Sequence, residues 1–127
     1  MPTSTFACMI NCMDGRVQEA VIRHLKARLG VDFVDAVTEP GPIAHLSKGA
    51  SVWVDNIKAC TDVSVEKHNA KAVAIVGHFD CAGNPVSKEE QVKQLHQSVP
   101  VLKAWYPHLP IYALWVNEQL EVEEIVS

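Results

Sequence analysis

The chain has 127 residues, 48% of them hydrophobic, with a formal net charge of −4 at pH 7. That size fits one domain, residues 1–127, with a core of its own, and that apolar fraction excludes a disordered chain. An acidic balance without clustered Lys and Arg excludes a broad nucleic-acid surface, and no apolar run approaches the ~20 residues of a membrane span.

The opening segment "MPTSTFACMINCMDGR" has no Lys or Arg before Arg16, so it does not read as a secretory signal. The expected setting is the cytoplasm, with Cys8, Cys12, Cys60 and Cys81 as free thiols. "FACMINC" (6–12) is an apolar run without helical period and predicts a buried strand. In the next segment Val17, Ala20, Val21, His24, Leu25 and Leu29 recur at helical spacing, and Gly30 is the expected stop. "VDFVDAV" (31–37) alternates as a half-covered strand does, and "TEPGPIAHLSKG" predicts a loop.

A long helix is predicted over 50–70, with Trp53, Ile57, Cys60 and Ser64 on its apolar stripe, Val52 and Val63 beside them, and Cys60 in the core. "KAVAIVGH" (71–78) is the clearest strand, followed by a turn, "DCAGNPVS". "KEEQVKQLHQSVPVLKAWY" predicts a helix interrupted near Pro100. "PIYALWV" (110–116) predicts a strand, and "NEQLEVEEIV" can return as a short acidic edge strand with a solvated tail. This order predicts an α/β fold: a parallel sheet of about four strands, helices on both faces, and an antiparallel strand at one edge.

In open α/β sheets, ligands bind beyond the carboxyl ends of the strands where strand order reverses. Cys12 ends the first strand, His78 ends the third, and Cys81 follows in the turn. If those two strands are neighbours, two sulfurs and one imidazole converge at one edge. That donor set suits Zn²⁺, and three protein ligands leave a fourth position open. Asp14 can then orient a water or ligate the metal, and Arg16 can pin the Asp14 carboxylate. Backbone amides near Gly83 are expected to assist. Cys8 lies at the other end of its strand and reads as packing.

The two segments "CMDGR" (12–16) and "HFDC" (78–81), the latter followed by "AG", resemble the paired C-x-D-x-R and H-x-x-C motifs of the β-class carbonic anhydrases. The resemblance extends to Gly77 and to the closing "YALWVNEQLEVEEI". It implies zinc on Cys12, His78 and Cys81, a catalytic dyad of Asp14 and Arg16, and reversible hydration of carbon dioxide to bicarbonate. It also implies a homodimer or a higher homo-oligomer. Family members usually carry a helical arm before the first strand, for which Cys12 comes too early, and an R-N-A-G-like loop where this sequence has "TEPG" (38–41). The altered loop leaves two alternatives on the same scaffold: hydrolysis of carbonyl sulfide or carbon disulfide, and a non-catalytic zinc-binding homologue.

Overall fold

The computed structural model describes residues 4–125. Four parallel strands, β1 (Phe6–Asn11), β2 (Phe33–Thr38), β3 (Val73–His78) and β4 (Ile111–Val116), form one sheet with β5 (Val122–Ile125) antiparallel at its edge. The spatial order is β2-β1-β3-β4-β5. β1 and β3 are therefore neighbours, as the sequence reading required. The chain leaves β1 toward one edge of the sheet and leaves β3 toward the other, so the strand order reverses between them.

Alternate strand residues feed two cores, as the two-residue period of a strand dictates. Met9, Ala74, Val76 and Leu114 pack against Val21 and Leu25 of helix α1 (Gln18–Leu29). Cys8, Ile10, Val73 and Ile75 pack against α2 (Pro42–Leu46), α3 (Val52–Lys67) and α4 (Lys88–Trp105) on the opposite face. α1 stops where Gly30 takes a left-handed conformation (φ 66°) and its N–H caps the Lys26 carbonyl. Ser51 and Ser87 cap α3 and α4, each hydroxyl accepting a backbone N–H three residues on.

Three expectations require correction. The segment after β2 is not only a loop. It contains α2, one short helix opened by Pro42 at its first turn, with Ile43 and Leu46 fully buried. The buried stripe of α3 is Val54, Ile57, Thr61 and Ser64, and both Trp53 and Cys60 are exposed. The reason is that the two hydroxyls are satisfied: Thr61 Oγ1 donates to the Ile57 carbonyl at 2.7 Å and Ser64 Oγ donates to Asp35 at 2.7 Å. A hydroxyl with a partner costs little to bury, so Thr61 takes the place that apolarity assigned to Cys60.

α4 runs unbroken through Pro100, whose ring faces solvent, so the carbonyl that loses its donor can be hydrated. The acidic edge strand is solvated as expected, with Glu121 and Glu124 exposed, and it carries surface ion pairs. Glu124 accepts from Arg28 at 3.1 Å and lies 3.2 Å from His24, and Glu123 pairs with Lys88 at 2.9 Å. Val126 and Ser127 lie outside the described residues. Among the described residues, no helix is long and apolar enough to cross a membrane.

Candidate metal centre

Cys12 follows the last residue of β1 and is held on both sides by amide side chains. Its N–H donates to Asn11 Oδ1 at 2.8 Å, and its carbonyl accepts from Gln18 Nε2 at 2.7 Å. His78 is the last residue of β3, and Cys81 sits in the turn beyond it. That turn passes through Asp80 at positive φ (49°), a conformation that Asp tolerates better than most residues. All three residues are buried. Their ligating atoms lie within 4.8 Å of one another, and the two sulfurs are 3.9 Å apart.

The chemistry of the cluster fits a cation. His78 Nδ1 lies 2.6 Å from the Phe79 carbonyl oxygen, which can only accept. Nδ1 therefore carries the proton, and Nε2 presents a lone pair. Nε2 is buried and has no hydrogen-bond partner. A buried polar atom without a partner is costly, so a ligand for it is expected.

The two thiols perturb each other. Cys12 is pulled far below the ordinary thiol range, first by the Cys81 thiol and, against the cost of burial, by His78 and the Gly41 and Asp14 N–H groups. Cys81 is pushed up by Cys12 and by burial. Two sulfurs this close cannot both ionise unless a positive charge joins them. Two sulfurs and one imidazole nitrogen are the donors that soft and borderline metal ions prefer.

Asp14 stands beside this cluster but is not one of its three members. Arg16 engages both of its carboxylate oxygens: Nη2 donates to Oδ2 at 2.7 Å, Nε to Oδ1 at 3.1 Å, and the Arg16 backbone N–H to Oδ1 at 2.9 Å. These bonds hold the Asp14 carboxyl well below its usual range, at about 2. Both carboxylate oxygens of Asp14 are thus already engaged by Arg16.

The sequence reading missed several supports. Arg16 also donates to the Asp80 carbonyl at 3.2 Å and lies over the Phe79 ring at 4.7 Å. Asn11 and Gln18 brace the loop that carries Cys12 and Asp14. A buried Asn closing an apolar strand was the available signal. Of the backbone amides near Gly83, the Asn84 N–H donates to the Cys81 carbonyl at 3.2 Å and so braces the turn that carries the thiol. An open groove of about 700 Å³ runs between α1 and the β4–β5 turn, with Arg16 at one end, but none of the three donors lines it.

Residues 2–126 match a protein family described as "Putative carbonic anhydrase". The chain belongs to that family. Its fold is that of the β class, as two solved structures demonstrate. One comes from a study of two tetrameric β-carbonic anhydrases from the filamentous ascomycete Sordaria macrospora. It is 12% identical with a TM-score of 0.62, over all of this chain and 83% of the other. The second is the β-carbonic anhydrase CafA of the fungal pathogen Aspergillus fumigatus, 16% identical with a TM-score of 0.53, over 96% of this chain and 75% of the other. No curated protein matches this carbonic anhydrase family member.

Proposed function

We propose that the protein is a zinc-dependent carbonic anhydrase that hydrates carbon dioxide reversibly to bicarbonate. The observation that carries this reading is the unpartnered His78 Nε2 facing two close sulfurs, in a chain of the carbonic anhydrase family. Cys12, His78 and Cys81 would hold the metal, leaving a fourth position for water. Zinc held there supplies Lewis acidity, which makes water a usable nucleophile near neutral pH.

The chain's own groups do the rest. Asp14, kept ionised by Arg16, accepts a hydrogen bond from the reacting water and aims it at the carbon of the substrate. Arg16, anchored to the Asp80 carbonyl, engages both Asp14 oxygens and so would hold the carboxylate in one orientation beside a bound metal. The Phe79 carbonyl fixes the His78 tautomer, so the ring offers Nε2. The relative from Sordaria macrospora is described as tetrameric, which supports a homo-oligomer for this chain as well.

The test is carbon dioxide hydration by purified protein, with metal analysis of the same preparation. Hydration above buffer with about one zinc per chain supports the reading. Full zinc with no hydration overturns it in favour of a non-catalytic homologue. Parallel assays with carbonyl sulfide and carbon disulfide identify a hydrolase if either is turned over faster than carbon dioxide.

A further inference from the structure

β3 loses its neighbour before it ends. Its pairing with β1 stops at Ile75, three residues short of His78, while its pairing with β4 continues to His78. The Phe79 N–H donates to the Val116 carbonyl on the β4 side. Successive peptide groups of a strand point in opposite directions, so the N–H and C=O of His78 face the side where β1 has already diverged. Unpaired and buried, they would cost free energy, and the end of the strand would be held from the β4 side alone.

The side chain of Gln91 fills that gap. Its Oε1 accepts the His78 N–H at 3.1 Å, and its Nε2 donates to the His78 carbonyl at 2.9 Å. A carboxamide has the same donor and acceptor pair as a peptide unit, so Gln91 completes the ladder as one residue of a strand would. Gln91 is only 1% exposed on α4. The fit depends on Gly77, since a Cβ there would stand 2.8 Å from Gln91 Oε1. One turn along the same helix, Gln94 accepts from Asn84 Nδ2 at 2.6 Å, and the Asn84 N–H donates to the Cys81 carbonyl at 3.2 Å.

We infer that Gln91 is a positioning residue of the metal centre: its carboxamide replaces a missing strand beside His78 and so aims the imidazole at the two sulfurs. The inference rests on the metal reading above, but its mechanical part stands in the metal-free protein. Gln91→Met keeps the length and removes the amide, whereas Gln91→Asn keeps the amide one methylene short. Each should shift the His78 ring nitrogen signals in NMR spectra of the metal-free protein and lower its amide protection. Each should also weaken zinc binding, measured against a chromophoric chelator, by about 10–100-fold.

A purely structural Gln91 would lower the melting temperature of the variants and leave His78 signals and zinc affinity as in the wild type. That result in either folded variant overturns the inference. If the wild type binds no zinc, the metal reading fails. The His78 signals then decide the positioning role alone: a shift upholds it, and unchanged signals overturn it. If Gln91→Met does not fold, Gln91→Asn decides.

Discussion

Cys12 and Cys81 present their sulfurs to each other at 3.9 Å across 69 residues of sequence. Cys8, in the same strand as Cys12, is also buried but lies beside the Ser64 and Thr61 hydroxyls, and burial pushes its thiol up to about 12. The three buried cysteines should therefore separate cleanly. Cys12→Ser and Cys81→Ser are expected to lose most of the bound zinc, whereas Cys8→Ser should retain it. Elemental analysis of the purified variants checks this, and full zinc in Cys12→Ser would sink the site.

The Asp14–Arg16 pair should govern turnover and not metal content. A lysine at position 16 supplies one point charge in place of a planar fork, so it cannot engage both Asp14 oxygens at once. Arg16→Lys is expected to lower kcat/KM for hydration, and Asp14→Asn to lower it by about a hundredfold or more, as loss of a positioned proton acceptor does. Zinc content should stay at the wild-type level in both. Metal loss in Asp14→Asn would instead make Asp14 a ligand.

The alternation of strands and helices was readable because each strand is apolar and each helix keeps its period. The convergence of Cys12, His78 and Cys81 was readable too, because they lie where parallel strands end. The stripe of α3 was not, since apolarity ranks Cys60 above Thr61, and only the bond from Thr61 to the Ile57 carbonyl reverses that order. Gln91 was invisible for a related reason. A glutamine in a helical sequence reads as solvent-facing, and nothing local reveals that the N–H and C=O of His78, thirteen residues earlier, lack a strand partner. Besides the short helix α2 and the continuity of α4, what escaped the sequence was the placement of polar partners, which depends on tertiary geometry.

The loop after β2 and the turn carrying Cys81 touch backbone to backbone. A Cβ on Gly83 would lie 2.6 Å from Pro40 Cβ and 2.7 Å from the Pro40 carbonyl carbon. Neither partner is a flexible side-chain end, so the turn itself must move. Gly83→Ala is expected to cost about 1–3 kcal/mol and to lower zinc content, as overpacking against a rigid neighbour does. Gly15→Ala, with open space around its Cβ and no positive φ, should stay within about 0.5 kcal/mol of the wild type. Chemical denaturation of both variants, with metal analysis, makes the comparison. Equal stability would mean that the two loops are free to separate.

In the core on the α3 and α4 face, Tyr106 donates its hydroxyl to Asp62 Oδ1 at 2.6 Å, and Lys58 reaches Oδ2 of the same carboxylate at 2.9 Å. Burial by itself would raise the Asp62 pKa, but the Tyr106 hydroxyl and Lys58 outweigh it, and the net shift is downward. Tyr106 is pushed up, first by burial and then by its bond to Asp62. The signs follow by linkage. A carboxylate lowered in the fold contributes stability above its unfolded value of about 4, and that stability is lost as pH falls through the folded value. A phenol raised in the fold contributes below its unfolded value of about 10, and that contribution is lost as pH rises further. The bond is therefore at full strength between about pH 4 and pH 10. Tyr106→Phe should cost about 1–2 kcal/mol in that window, as expected for a hydrogen bond to a partly exposed charged group. The gap between wild type and variant should narrow below pH 4 and above pH 10. Urea denaturation of both proteins from pH 3 to pH 11 measures it, and a gap that stays constant across the range would show that the hydroxyl acts through packing instead of through the Asp62 charge.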